Sequence, residues 1–179
     1  AAERAPVIVQ TTPGTLKHAG IPYVAACVKV AAELHDIPIA LHIDHCSSYS
    51  TIEECIRYGY TSVMIDGSKL PYDENVNLVK RVVELAHGVC VAVEGELGRI
   101  GGTEDDLSID EREAALTVPE EADAFAKATG IDTLAIAIGT AHGVYKGEPK
   151  LDYKRLAAIK ERVSLPLVLH GASGVPEAS

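Results

Sequence analysis

His45, His142 and His170 each follow a short run of branched aliphatic residues: Pro38-Ile39-Ala40-Leu41-His42-Ile43-Asp44, Leu134-Ala135-Ile136-Ala137-Ile138-Gly139-Thr140-Ala141 and Pro166-Leu167-Val168-Leu169. An apolar run that ends in ionisable residues is poorly explained as core. Bounded by Pro or Gly, each run reads as a strand buried on both faces. Such strands come from parallel sheets, and sites form at the carboxyl ends of those sheets. Histidines delivered by three separate strand ends can therefore converge. Three imidazoles with an open fourth position suit a catalytic divalent metal, zinc first. The bland alternative is three unrelated polar residues in loops. Against it stand the flanking glycines Gly143, Gly171 and Gly174, which let backbone N–H groups approach an anion closely, as a phosphate-binding loop requires.

Side-chain alternation sets a condition on this reading. It puts His42 and Asp44 on one side of their strand and His45 on the other, so a ligand role for His45 requires the strand to end at Asp44. His42 then reads as a hydrogen-bonded core histidine, and His18, His35 and His87 as solvent or helix-surface residues. Asp44 would either hold a ligand imidazole or act as general acid and base, and spacing does not separate the two. Asp66, Glu94 and Glu96 are further carboxylates at strand ends, with Glu94 and Glu96 facing one way. One of them either binds metal or orients a ligand, or the group forms an ion pair in a barrel mouth. The group Glu104-Asp105-Asp106 reads as a solvated loop.

The elements that carry these residues alternate strand and helix. The expected strands are Pro6 to Gln10, Pro38 to Asp44, Ser62 to Ile65, Val89 to Glu94, Thr133 to Ile138 and Pro166 to His170. Between them, Thr11 to Thr15 reads as a loop, and Tyr23, Cys27, Val30 and Leu34 form the apolar stripe of an amphipathic helix. Ser50-Thr51-Ile52-Glu53 reads as a capping box for a helix stopped by Gly59. Asp73 to His87 carries Val76, Val79, Val83 and Ala86 on one side. Thr117-Val118-Pro119-Glu120 opens a helix closed by Gly130, and Asp152 caps one carrying Leu156, Ile159 and Val163. The roughly twenty-residue stretch from Gly98 to Val118 is long for a compact domain and is expected to be a lid. Short connections and strict alternation predict an α/β protein with a parallel sheet. Polar or Gly residues at nearly every strand end favour a barrel over an open doubly wound sheet.

With 179 residues and 47% hydrophobic content, residues 1–179 can bury the core of a single domain. The net charge of −10 argues against nucleic acid and anionic membranes, while 16 Lys and Arg leave room for a small anionic substrate. No run is long enough to span a membrane, and the first residues carry no secretory signal. Cys27, Cys46, Cys55 and Cys90 form no CxxC pair, so the chain is expected to be reduced and cytoplasmic. The start at Ala1 and the stop just after a strand end suggest truncation at both ends.

These residues together resemble the class II, metal-dependent ketose-bisphosphate aldolases, which act on fructose or tagatose 1,6-bisphosphate. The resemblance rests on Leu-His-Ile-Asp-His (41 to 45), Val-Met-Ile-Asp-Gly-Ser (63 to 68), Glu-Gly-Glu-Leu-Gly (94 to 98), Gly-Gly-Thr-Glu-Asp-Asp (101 to 106), Ala-Ile-Gly-Thr-Ala-His-Gly (137 to 143), Lys-Gly-Glu-Pro-Lys-Leu-Asp (146 to 152) and Leu-His-Gly-Ala-Ser-Gly (169 to 174). It implies a (β/α)8 TIM barrel of which this chain carries about six of eight strands. It implies that His45, His142 and His170 bind catalytic Zn2+, that Asp44 exchanges a proton with the C4 hydroxyl, and that Glu104 handles the C3 proton. Gly143 and Gly171, Ala172 and Ser173 would contact the dihydroxyacetone phosphate part. Asp66 and Glu96 match positions for a second or displaced divalent metal, or for a monovalent cation. In this role zinc polarises the C2 carbonyl and replaces the Schiff-base lysine of other aldolases.

The implied enzyme is a lyase of glycolysis or related carbohydrate metabolism, a homodimer or homotetramer whose partner is a phosphorylated sugar. Three departures from the family pattern stand out. The phosphate-site segment after the seventh strand is absent, Gly95 stands where many relatives have Ala, and Cys46 where many have Gly or His. The chain by itself is therefore expected to show little turnover. Fructose and tagatose bisphosphate are left undecided, because C4 stereochemistry is read by pocket shape. Two rival readings are a metal-dependent hydrolase on the same barrel, which would need a group bridging two metals, and a non-catalytic regulatory barrel subunit.

Overall fold

The computed structural model describes residues 4–104, 107–109, 115–143, 145 and 149–175. The chain runs through β1 (Val7–Thr11), α1 (Pro13–Ala19), α2 (Ile21–Leu34), β2 (Ile39–Cys46), α3 (Tyr49–Arg57), β3 (Ser62–Ile65), α4 (Tyr72–His87) and β4 (Ala92–Leu97). It continues through β5 (Gly101–Glu104), β6 (Leu107–Ile109), α5 (Pro119–Thr129), β7 (Thr133–Ile136), β8 (Ala141–His142), α6 (Tyr153–Arg162) and β9 (Leu167–Val168). The main sheet has six strands in the order β1-β2-β3-β4-β7-β9, every neighbouring pair parallel. Each strand pairs with the one laid down before it, with at least one helix between, so the order never reverses. A doubly wound sheet requires a reversal. A sheet that always advances the same way is the six-stranded portion of a (β/α)8 barrel, as the sequence predicts.

Alternation along these strands divides the molecule into two zones. Leu41 and Ile43, Val63 and Ile65, Val93 and Leu97, and Leu134 and Ile136 pack outward against Ile52, Val79, Val82, Val83, Phe125 and Ile159 of the helices in one apolar core. Each such side chain contributes about 1.5–3 kcal/mol on burial. The residues between them, including His42, Asp44, Glu94 and Glu96, are equally buried but point to the other side of the sheet and lie outside that core.

Several local expectations are corrected. Thr11 to Thr15 is not a loop, because Thr12 caps α1 by accepting from the Thr15 amide and Pro13 occupies the first turn, where no donor is needed. Along α2 the stripe Tyr23, Cys27, Val30 and Leu34 faces outward, with Tyr23 74% and Leu34 73% exposed. The core side is Ile21, Val24, Ala25 and Val28. Two apolar stripes run along this helix, and periodicity alone cannot choose between them. Ser48, not Ser50, caps α3 by accepting from the Thr51 amide.

The fourth strand starts at Ala92 rather than Val89. The amides of Val89, Cys90 and Val91 fold back onto the carbonyls of Ala86 and His87, with Cys90 at φ 59°, so this segment finishes α4. Thr117 does not cap α5. Its hydroxyl donates to the Leu97 carbonyl and accepts from the Ala137 amide at 2.8 Å, tying together the chain ends that leave β4 and β7. Asp152 caps α6 as expected, accepting from the Arg155 amide at 2.9 Å.

The long Gly98 to Val118 stretch contains the antiparallel pair β5–β6, and β5 also pairs in parallel with β8. Gly102 thereby lies opposite His142. Among the described residues no helix is long and apolar enough to cross a membrane, and Cys27, Cys46, Cys55 and Cys90 are free thiols.

Candidate metal centre and active site

His45 reaches the site by a route that alternation does not anticipate. The strand does not end at Asp44 but continues to Cys46, and the β2–β3 register passes from Ile43↔Val63 to Cys46↔Ile65. β2 advances three residues while β3 advances two, which is a bulge. His45 sits in it at φ 46°, and its amide, released from the ladder, points to the Met64 sulfur at 3.2 Å. The extra residue turns Asp44 and His45 toward the same place.

The three predicted imidazoles converge. Ring centroids are 4.3 Å apart for His45–His170, 4.7 Å for His45–His142 and 6.0 Å for His142–His170. His45 Nε2 is 3.1 Å from His170 Nδ1, and Asp44 Oδ1 is 3.8 Å from the same Nδ1. On its other edge His45 Nδ1 is 3.6 Å from both Asp66 Oδ2 and Glu96 Oε2. His45 is thus shared by two candidate ligand groups, Asp44/His45/His170 and His45/Asp66/Glu96.

The donor set fits a divalent ion. Two ligands on a tetrahedral zinc with bonds of about 2.0–2.1 Å lie about 3.3 Å apart, close to the 3.1 Å between the His45 and His170 nitrogens. Asp44 Oδ1 and Glu96 Oε2 are buried with no hydrogen-bond partner among the described residues. Carboxylate oxygens so placed are costly unless a cation meets them.

Burial pushes the Glu96 carboxyl up to about 8, with the charges of Asp66 and Glu94 adding to the effect. Burial works on Asp66 in the same sense, but hydrogen bonds from His45 and Ser68 outweigh it and take that group down to about 2. Burial lowers His42, against the pull of Glu94 and Asp44. Its Nδ1 meets the Ser62 hydroxyl at 2.8 Å, so His42 is buried and hydrogen-bonded as expected, but on the polar side of the sheet and not in the apolar core.

The raised Glu96 group has a measurable consequence in metal-free protein. Below the ordinary carboxyl pKa Glu96 is protonated folded or unfolded. Between there and about 8 only the unfolded chain ionises it, so stability falls as pH rises through that window. Glu96→Gln should therefore raise the Tm of chelator-treated protein at pH 9 and lose that advantage at pH 4, as measured by thermal denaturation.

Beside the histidines, a cleft of about 380 Å³ is lined by Gln10, Asp44, His142, Gly143, Gly171 and Ser173, among others. Two loops form its wall, and Tyr145 joins them. Its hydroxyl donates to the Gly171 carbonyl at 2.8 Å and accepts from the Ala141 amide at 2.9 Å. Gly171 is at φ 68°, and a Cβ there would lie 2.6 Å from the Ala141 carbonyl carbon. Gly171→Ala should displace the loop and destabilise the protein by about 1–3 kcal/mol, read as a lowered Tm together with a raised KM.

The structure thus brings His45, His170, Asp44, Asp66 and Glu96 into two ligand groups that share His45, while His142 packs against His45 and, with Gly143 and the Gly171 to Ser173 turn, lines the adjacent cleft. The Glu104 backbone belongs to β5, whereas its side chain, with Asp105 and Asp106, lies outside the described residues. Sequence reasoning did not place Gln10, Tyr145 or the Glu94 contact to His170, which measures 2.8 Å. For Glu94 the signal was its two-residue spacing from Glu96, which puts both on the polar side.

The family model described as fructose-bisphosphate aldolase class-II matches residues 1–179. Among solved structures, the YdjI aldolase from Escherichia coli K12 superposes with a TM-score of 0.86 at 33% identity, over 99% of this chain and 61% of that one. A fructose-1,6-bisphosphate aldolase candidate from Coccidioides immitis gives 0.85 at 34% identity, over 96% and 61%. Fructose-bisphosphate aldolase from Campylobacter jejuni gives 0.73 at 25%, over 96% and 59%. The chain spans about three fifths of the length of these solved proteins. It belongs to the class II fructose-bisphosphate aldolase family.

Proposed function

We propose that this chain carries the catalytic centre of a zinc-dependent aldolase. The enzyme would reversibly cleave a ketohexose 1,6-bisphosphate, fructose or tagatose, to dihydroxyacetone phosphate and glyceraldehyde 3-phosphate. The observation that carries the reading is the convergence of His45, His142 and His170 next to Asp44 at the mouth of a cleft walled by glycine loops.

His45, His142 and His170 would hold the ion, which when bound supplies Lewis-acid polarisation of the substrate carbonyl. Asp44 faces the cleft with an oxygen that no protein group occupies. It takes the proton of the C4 hydroxyl as the C3–C4 bond breaks, and returns it on condensation. The C4–O bond becomes the aldehyde, and the electron pair of the broken bond passes to the dihydroxyacetone phosphate half. Glu104, on the strand paired beside His142, delivers a proton to C3. Gly143 and Gly171 to Ser173 offer backbone N–H groups to phosphate. Asp66 and Glu96, sharing His45, form a second position for a displaced or additional cation. A homodimer or homotetramer is the assembly proposed.

The test is a coupled assay for triose phosphate release on the full-length protein with each sugar bisphosphate, with and without chelator. The expected result is cleavage of at least one, lost on chelation and restored by zinc. Cleavage untouched by a chelator that removes all metal would refute the reading.

A further inference from the structure

Glu94 lies at the centre of the buried polar network and is given no role by the reading above. Its two oxygens face different histidines. Oε1 is 2.8 Å from His170 Nε2, and Oε2 is 3.9 Å from His42 Nε2. His42 is held from its far side by Ser62, through Nδ1 at 2.8 Å, and its Nε2 is also 3.9 Å from Asp44 Oδ1. All three ionisable side chains around Glu94 are at least nine-tenths buried, and so is Glu94 itself. Water therefore does not compete with it.

A carboxylate only accepts hydrogen bonds, so a neutral His170 meeting it at 2.8 Å must carry its proton on Nε2. That leaves the Nδ1 lone pair bare, and Nδ1 is the atom that faces His45 and Asp44, at 3.1 and 3.8 Å. The opposite tautomer would point a hydrogen at the position where the ion belongs. We infer that Glu94 is a positioning residue that fixes the tautomer and ring orientation of His170 so that Nδ1 is presented to a divalent cation. The inference rests on the metal-centre reading. It has the form of a carboxylate–histidine–metal arrangement, in which the outer carboxylate also makes the ring a better donor. Glu94 needs no contact with substrate.

The test uses the full-length protein, Glu94→Ala and Glu94→Gln, with three readouts. Imidazole ¹⁵N NMR of metal-free protein should show the Nε2–H tautomer of His170 in the wild type and in Glu94→Gln, whose amide oxygen still accepts. In Glu94→Ala it should show a mixture of tautomers. Zinc affinity by chelator competition should fall about 10–100-fold in Glu94→Ala and markedly less in Glu94→Gln. At saturating zinc, KM for the sugar bisphosphate should be unchanged in both. Rescue by Gln separates positioning from mere folding, since both variants remove the same charge.

Wild-type affinity and an unchanged tautomer in Glu94→Ala would overturn the inference while leaving the metal-centre reading intact. If wild-type protein binds no divalent ion at the histidines, the reading itself fails and this inference falls with it. Equal loss in Glu94→Gln and Glu94→Ala would also overturn it, because charge rather than orientation would then be what matters.

Discussion

Asp44→Asn in the full-length protein should lower kcat for aldol cleavage by about 10²–10⁴-fold while leaving the zinc content at wild-type stoichiometry. Asn keeps the volume and one acceptor oxygen but cannot take a proton from the C4 hydroxyl. Asp44 lies within 4 Å of two histidines, His42 at 3.9 Å and His170 at 3.8 Å, yet its Oδ1 has no hydrogen-bond partner among the described residues and the residue lines the cleft. An acid–base group and a metal ligand both suit that position, whereas the sequence left open an acid–base group or a carboxylate that holds a ligand imidazole. The two roles part on this variant. Parallel steady-state kinetics and metal analysis decide, and zinc lost along with activity would make Asp44 a ligand.

His45→Asn should have the larger structural reach. His45 is the one residue common to both candidate ligand groups, so its removal empties both at once. Asn is the informative replacement because the residue sits at φ 46°, a conformation that Asn tolerates better than most side chains. The bulge should survive while the ligand is gone. The expected outcome is loss of tightly bound zinc and of cleavage below detection, with the far-ultraviolet circular dichroism unchanged. Retention of stoichiometric zinc would mean that the ion is held without the His45 imidazole.

Much of this site was legible because strand ends in a parallel sheet announce themselves. An apolar run that stops at His, Asp or Glu marks both the strand and the place where the chain turns to chemistry, and the six strands appear within a few residues of where they are expected. The route taken by His45 was not legible. Strict alternation demanded that the strand stop at Asp44, and only the one-residue slip between Ile43 and Cys46 reconciles a continuing strand with both side chains facing the site.

The α2 stripe failed for a different reason. Tyr23, Cys27, Val30 and Leu34 satisfy the helical period as well as the buried set does, so the choice depends on how Gly20, at φ 83°, aims the helix after α1. Thr117 looked like a cap because it precedes Val118-Pro119, yet its hydroxyl bridges Leu97 and Ala137, partners far away in sequence. Glu94 was visible as an inward carboxylate, but its pairing with His170 spans 76 residues and emerges only in three dimensions.

Three imidazoles from distant parts of the chain are proposed to hold one ion. X-ray absorption at the zinc edge of stoichiometrically loaded full-length protein tests this most directly. It should show three imidazole nitrogens at about 2.0–2.1 Å, falling to two in His142→Ala. A first shell made only of oxygen, or one unchanged in that variant, would contradict it.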